Sequence, residues 1–547
     1  MSCAAPAEPP PRPPASPRGR ESLLLFLLVA AASVGLGLGP WSHDQVDWPA
    51  IVALSHAYDA VSAEGGANLA LIGFVEPPLP ALLQVPVVAV YRGLGTSGLA
   101  APLLGALWVA AAVVVLNALL SDLGLGPALR WPLCALFFLH PLTLSWAETG
   151  ALEGLMVLLV LGLTRGLLRW LHFRVLRDLI TASLFCAALV LTRYEALFIA
   201  LAVAGLLAAD VVQRRGGWAE VEGTLITFGL PAAYVLGIWI VLNWLIMGEP
   251  LYFWTRYFPA DGHATAPAGW SLGLARLRAL TDTVAFVPTS LAGLLWALLR
   301  RPQGRSLLPV AVLFVTPYAA LWLAPGAFDR WVVAAQEQAP GLTAPVPELM
   351  APSLALGCVL LAAMVADLGR LGAPSEQPAG RVASLAAPAG VAVLLVLGLA
   401  LCLADHHPAR PFQTAAFRGR PVGAASATSA RAVAARLAGT PPAPGRLVVA
   451  GWPGFAITLY AGYRGPKVML PDAAPPAQRL PGPPAGALLV RSLQSGASAD
   501  PAPGWGVALG RPRPPRPQWR CEEWVYCAWP AVAMPSAAPE RLPSWIP

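Results

Sequence analysis

Charge is scarce in this chain. Of 547 residues only 12% are charged and 56% are apolar, against about 25% and about 45–50% in an ordinary soluble protein. So few charges cannot cover a body of this size, which excludes a single water-soluble globule. Lysine is almost missing: Lys467 is the only one among 36 basic residues. A bias so complete has the look of GC-rich coding and carries no functional reading. Metal-type cysteine spacing, an Asn-x-Ser/Thr acceptor and a Gly-rich phosphate loop are also absent from the sequence.

Long apolar runs are what the chain has instead. They recur between Leu23 and Ala404 at lengths near the ~20 residues that span a bilayer. The expected fold class is therefore an α-helical polytopic membrane protein with about 11–13 transmembrane helices. Cys134, Cys186, Cys358 and Cys402 lie inside such runs and read as small core residues. Cys521 and Cys527 lie close together in a polar tail, and an exported tail would let them form a disulfide.

The few charges are unevenly placed. From Asp405 onward there are fifteen basic and six acidic residues, a net of +9, whereas the first 404 residues sum to −2. Those tail arginines are scattered among prolines with no stripe and no interleaved aromatics, which argues against a nucleic-acid partner. Residues 1–20 are proline-rich and basic, and predict a disordered cytoplasmic N-terminus. Leu23–Leu38 reads as the first span, and Arg12, Arg18 and Arg20 before it place the N-terminus in the cytoplasm.

Arginine clusters at Arg165/Arg169/Arg174/Arg177, Arg214/Arg215, Arg300/Arg301/Arg305 and Arg370/Arg381 mark cytoplasmic loops by the same rule. Between and after them run apolar segments at 177–193, 195–210, 223–246, 280–299, 307–324, 349–366 and 384–404. The turn Arg193–Glu195, the loops 247–279 and 325–348, and the tail 405–547 then fall outside. The membrane part covers 21–404, with an external first loop at 40–78. Parity fails by one in the N-terminal third if 79–93 is a span alongside 98–120, 131–146 and 150–168. Either Pro77–Tyr91 is a re-entrant or interfacial segment, or one later run is not a full crossing. In the tail, Ala427–Leu437 reads as an amphipathic helix, and Gly445–Gly451 and Ala485–Arg491 read as short buried strands of a small external α/β domain. The last 45 residues read as largely irregular.

Four groups break the apolar pattern. The first is the loop 40–78, which carries Asp44, Asp47, Asp59, Glu64 and Glu76 without one Lys or Arg. The bland reading is a solvated external loop that the positive-inside rule depletes of arginine. His43, Asp44 and Asp47, however, stand at the end of the first span, where partial desolvation tunes a carboxylate's protonation. A carboxylate there is what abstracting a proton from an acceptor hydroxyl requires. His56–Val61 reads as a short helix ending at a Gly-Gly turn.

The second group is His140-Pro141 followed by Glu148, Thr149, Gly150 and Glu153. Glu148 reads as a cap of the following helix. Glu153, one turn into an apolar helix, is expensive unless it faces protein or a wet cavity, and serves structure or function equally well. The third is Thr192-Arg193-Tyr194-Glu195, where Arg193 either pairs with Glu195 or offers a guanidinium fork to a lipid phosphate. The fourth is Gly248–Phe258, an aromatic girdle that contains Arg256.

In this order the groups resemble the polytopic membrane glycosyltransferases of the GT-C superfamily, of the polyprenyl-phosphate-sugar-dependent, protein-mannosyltransferase or aminoarabinose-transferase type. The resemblance rests on HDQVDW after the first span, GFVEPPLP before the next segment, TGALEGL, TRYEALF and GEPLYF, and covers roughly residues 20–260. It implies an enzyme that transfers a hexosyl or pentosyl group from a polyprenyl-phosphate donor to a hydroxyl of a lipid, glycan or protein acceptor, at the external face of the plasma membrane. Carried over, Asp44 is the catalytic base and Asp47 the alternate. Arg193 and Arg256 hold the leaving lipid phosphate, and His43, Glu76, Glu153 and Glu195 line the substrate cavity. Some members also use a divalent ion, Mg or Mn. The family often has paired acids at the start of the loop; here His43 precedes Asp44, so either His43 replaces one carboxylate or Asp44 and Asp47 form the pair. The rival readings are a lipid or solute transporter, a flippase-like protein, or a non-catalytic scaffold of the same fold. Inverted repeats would favour transport, and none is evident.

Overall fold

A computed structural model of the chain describes residues 19–42, 48–62, 72–94, 99–257, 293–296, 304–323, 351–371, 447–449, 488–492 and 526–530. The expected first span is contained in α1, Gly19–Ser42. The segment expected as a short helix at His56–Val61 is part of a longer one, α2, Trp48–Ser62, which opens with Pro49 in its first turn where a missing N–H costs nothing. There follow α3 (Leu79–Leu94), α4 (Ala100–Asp122), α5 (Pro127–Leu139), α6 (Pro141–Thr149), α7 (Glu153–Phe173) and α8 (Leu176–Thr192). Next come α9 (Ala196–Gln213), α10 (Trp218–Met247), α11 (Tyr252–Tyr257), α12 (Gly304–Leu323) and α13 (Ala351–Leu371). Among the described residues, five helices are long and apolar enough to cross a membrane: α1, α4, α7, α9 and α10.

Ion pairs define one end of the bundle. Asp122, closing α4, accepts from Arg165 Nε at 2.7 Å and from Arg169 Nη1 at 3.2 Å, both on α7. Arg169 Nε also reaches Asp178 in the first turn of α8 at 3.3 Å. Arg174, the left-handed residue that ends α7, pairs with Asp210 on α9, and Arg214 pairs with the same Asp210 at 3.1 Å. Glu21 of α1 accepts from Arg130 of α5 at 3.1 Å and from Asn117 of α4 at 3.3 Å. The starts of α1, α5 and α8 and the ends of α4, α7 and α9 therefore meet at this arginine-rich end.

The opposite end is fixed by close backbone approaches. Gly37 of α1 lies against the Glu148 carbonyl of α6, and Gly105 of α4 lies against Gly150, the residue after α6. Gly150 has a φ of +75°, and a Cβ there would stand 2.4 Å from the Ala101 carbonyl carbon, so both backbone and space demand glycine. With these fixed points, α1, α4, the α5–α6 pair, α7, α8, α9 and α10 run end to end in alternating direction. The run 131–146 is one crossing made of two helices that break at His140-Pro141, because proline cannot donate into the preceding turn.

Helix α3, at 16 residues, is not among the helices of spanning length. Ala81 packs with Tyr194, Met247 and Tyr252, and Val88 packs with Ala50 and Leu54 of α2 and Ala100 of α4. Both clusters lie at the end of the bundle opposite the ion-paired arginines.

Burial divides the helices. Helices α4 and α7 are mostly enclosed, and their leucines, valines and alanines form the main core with α8, α9, α12 and α13. On α10, Ile226, Leu230, Tyr234, Val241 and Leu245 are exposed, as are Leu23, Leu24, Leu27 and Leu28 on α1. An apolar residue exposed on a helix of spanning length is suited to lipid rather than water.

Among the described residues of the tail there are three strands, β1 (Leu447–Val449), β2 (Leu488–Ser492) and β3 (Tyr526–Pro530), in the order β1-β2-β3. Strands β1 and β2 are parallel, with Leu447 opposite Leu488; β2 and β3 are antiparallel, with Arg491 opposite Cys527. The first two coincide with the expected strands. The third lies within the last 45 residues, where Tyr526-Cys527-Ala528-Trp529 includes aromatic residues that favour a pleated surface. The helix expected at 427–437 and Cys521 lie outside the described residues.

Candidate functional site

The turn between α8 and α9 is the most unusual charged feature of the molecule. Arg193 is extended (φ −154°, ψ 127°) and reverses the chain, while Glu195 already has helical angles and stands just before α9 without a side-chain cap bond. The carbonyls of Arg193, Tyr194 and Glu195 each accept from the N–H three residues on, at 3.1 Å, so the turn is locked into the first coil of α9. A turn at the end of a helical hairpin would ordinarily be solvated. This one is buried: Arg193 is 6% exposed, Tyr194 1% and Glu195 0%.

Its charges are paired within the turn. Arg193 Nη2 donates to Glu195 Oε1 at 3.4 Å, a long contact for a charge-assisted pair. The Glu195 carboxylate also stands in the positive field of the α9 N-terminus. Glu153, the first residue of α7, is 6% exposed, and Arg193 acts electrostatically on its carboxylate. Glu153 Oε2 has no hydrogen-bond partner among the described residues. The break at Gly150 that starts α7 thus places an acid beside a buried guanidinium. Glu148 does not cap α7, contrary to expectation. It belongs to the last turn of α6, separated from Glu153 by the left-handed Gly150, and the residue before α7, Leu152, makes no side-chain cap.

An aromatic wall stands beside the turn. Trp239 of α10 donates from Nε1 to the Tyr194 hydroxyl at 2.8 Å. Phe74 stacks on Trp239 with centroids 4.9 Å apart and planes within 5°, and Phe253 of α11 leans on Tyr194 at 4.7 Å. The loop that carries Phe74 is drawn in by Gly73, whose φ is +86°, and a Cβ there would lie 2.7 Å from the His56 ring. Burial, with the neighbouring carboxylates of Glu76 and Glu195, holds the Tyr194 hydroxyl protonated well above its ordinary range, against the opposing hydrogen bond from Trp239. Glu76 itself is half-buried.

Of the candidate residues, the structure brings Glu153, Arg193 and Glu195 together, with Glu76 close enough to act on Tyr194. Arg256 belongs to α11, the helix that supplies Phe253. His43, Asp44 and Asp47 lie outside the described residues; α1, which precedes them, ends at Ser42, at the end of the bundle that holds the Arg193 turn. Tyr194, Trp239, Phe74 and Phe253 escaped the sequence reading as site residues. Tyr194 stood inside a noticed motif. Trp239 had no local signal, because an indole in an apolar helix reads as an ordinary core or interface residue.

No family model matches the chain, and no curated protein sequence matches it significantly. Among solved structures it is similar to archaeal oligosaccharyltransferase AglB from Archaeoglobus fulgidus in complex with an inhibitory peptide and a dolichol-phosphate. That match has 14% identity and a TM-score of 0.46 over 84% of this chain and 65% of that one. It is also similar to the Archaeoglobus fulgidus oligosaccharyltransferase tethered through a disulfide to an acceptor peptide with an NVT sequon. Here the identity is 13% and the TM-score 0.44, over 85% of this chain and 65% of that one. The chain thus spans 65% of the length of each of these structures.

Proposed function

We propose that the chain is an inverting membrane glycosyltransferase that moves a sugar from a polyprenyl-phosphate donor to an acceptor hydroxyl. The observation that carries this reading is the buried Arg193 turn, with Glu153 and Glu195 beside it, at the end of the bundle away from the ion-paired arginines. By the positive-inside rule the ion-paired end is cytoplasmic. The Arg193 end then faces outward, the N-terminus lies in the cytoplasm, and the domain from 405 lies outside the plasma membrane. Motif resemblances to the GT-C superfamily in four groups, in order along residues 20–260, support the same chemistry.

In this reading Asp44, or Asp47 in its place, takes the proton from the acceptor hydroxyl. That oxygen attacks the anomeric carbon from the face opposite the leaving group, and the bond from that carbon to the phosphate oxygen breaks. Polyprenyl phosphate leaves with the bond's electron pair, and the sugar is transferred with inverted configuration. Arg193, with Arg256, offsets the charge that grows on the phosphate, and the aromatic wall of Phe74, Trp239 and Phe253 excludes water. Glu195 orients Arg193, while Glu153, Glu76 and His43 contact the donor or acceptor. That acceptor is a lipid, a glycan or a protein.

Divalent Mg or Mn would take oxygen donors, and Glu153 Oε2 is such a donor. Among the described residues, however, no group of three or more His, Cys, Asp or Glu gathers to hold an ion. These residues alone do not fit a metal, and no step here is routed through one.

The test is transfer by membranes carrying the full chain, assayed with labelled polyprenyl-phosphate hexoses and pentoses. Asp44→Asn should lower the rate by about 10²–10⁴-fold, the usual worth of a positioned base, and Asp47→Asn should do so if it is the base instead. Full activity in both variants overturns the base assignment. A wild-type protein that transfers none of these sugars overturns the function.

A further inference from the structure

Gln84 lies in the middle of α3, is 0% exposed, and neither Oε1 nor Nε2 has a hydrogen-bond partner among the described residues. A buried primary amide left unpaired at both atoms bears the full desolvation penalty of each, which is why native interiors rarely keep one without a use. Apolar packing does not require it. Ala81, Val85 and Val88 share its helix face at a spacing that stacks side chains along one side, and they make the contacts to the neighbouring clusters. Ala81 belongs to the cluster around Tyr194, Phe74 and Phe253; Val88 belongs to the one that joins α2 to the start of α4. Gln84 therefore stands one helical turn from the Tyr194 wall, on the side toward α2. At the same end, Glu153 Oε2 and Asn243 Oδ1 are also buried without partners among the described residues, and Asn243 is one turn along α10 from Trp239.

We propose that Gln84 hydrogen-bonds the hydroxyls of the sugar carried by the polyprenyl-phosphate donor, and so determines which sugar the site accepts. This rests on the transferase reading. A primary amide both donates and accepts, which matches a sugar hydroxyl or two neighbouring hydroxyls. It is neutral, so it reads the sugar without competing for the phosphate that falls to Arg193. A group that is costly while empty and satisfied only when the correct ligand is bound also discriminates against ligands that lack the hydroxyl.

The experiment is thermal denaturation of the full chain in detergent, with bare polyprenyl phosphate and with polyprenyl-phosphate hexoses and pentoses. Wild type should be raised in Tm by bare lipid phosphate, and raised further by at least one sugar-bearing lipid. Gln84→Met keeps the shape and removes both polar atoms. It should match or exceed the wild-type Tm without ligand, keep the bare-lipid shift and lose the extra sugar shift, with donor affinity falling about three- to tenfold. Gln84→Met that retains the whole sugar shift overturns the proposal.

A second measurement needs no variant. Donors that lack one hydroxyl at a time should include one that stabilises wild type no better than bare lipid; equal shifts from every deoxy donor overturn the proposal. A wild type that responds equally to bare and sugar-bearing lipids removes the role of Gln84 and leaves the transferase reading to its own assay. A wild type that responds to no lipid phosphate removes both.

Discussion

The two ends of the bundle use arginine in opposite ways. At one end Arg165, Arg169, Arg174 and Arg214 are tied to Asp122, Asp178 and Asp210, and two of them also lie over rings, Arg169 over Phe173 and Arg174 over Trp170. These contacts join α4, α7, α8 and α9, and each guanidinium is matched to a carboxylate. At the other end Arg193 and Glu195 pair at 3.4 Å inside a buried turn, and Glu153 keeps one oxygen without a partner among the described residues. Charge shared between helices holds them together. Charge buried within a single turn joins no helices, and a site that meets a ligand is one place where such a cost is kept.

The same conservative substitution therefore separates the two ends most sharply. Arg193→Lys keeps the positive charge beside Glu195 but loses the planar fork that grips a phosphate. We expect transfer to fall about a hundredfold, equivalent to ~2.7 kcal/mol of transition-state stabilisation, with Tm in detergent nearly unchanged. Kinetics with a polyprenyl-phosphate donor, run beside a melting curve, checks this. A large loss of Tm with unchanged turnover would place Arg193 with the structural arginines instead.

The converse change belongs to the other end. Asp122→Ala removes the carboxylate that Arg165 and Arg169 share. Asp122 is 8% exposed at its side chain and Arg165 27%, so screening by solvent lowers the cost below that of a wholly buried pair. The expected loss is about 2 kcal/mol of stability, seen as a lower Tm in detergent, with kcat/KM of the folded fraction unchanged. A change in turnover without one in Tm would couple the arginine end to the site.

The contrast also explains how much the sequence could say. The arginine clusters at 165–177 and 214–215 are visible in composition alone, and the structure gathers Arg165, Arg169, Arg174 and Arg214 at one end of the bundle. The helices of spanning length, α1, α4, α7, α9 and α10, follow apolar runs. Arg193, Glu195 and Glu153 were legible because each interrupts an apolar stretch. What escaped depends on contacts between distant segments. The surroundings of Pro77–Tyr91 could not be read locally, since α3 has span-like composition and the clusters that hold Ala81 and Val88 draw on distant segments. Glu148 reads as a cap until the left-handed Gly150 separates it from α7. The Tyr194–Trp239 bond joins residues 45 positions apart, and no periodicity announces it.

That bond supplies the mildest test of the comparison. Trp239→Phe keeps a ring against Phe74 but removes the donor that the Tyr194 hydroxyl accepts from at 2.8 Å. A buried hydrogen bond of this kind contributes about 1 kcal/mol, so the drop in Tm should be smaller than for Asp122→Ala. The site should feel the change more than the bundle does, because Tyr194 sits between Arg193 and Glu195 and its ring packs on Phe253. We expect a rise of about two- to fivefold in donor KM with kcat held, as for a wall that positions the donor without touching the reacting atoms. If instead Tm falls as far as in Asp122→Ala and KM is untouched, the aromatic wall is a helix fastener like the arginine network, and the two ends differ only in what their fasteners are made of.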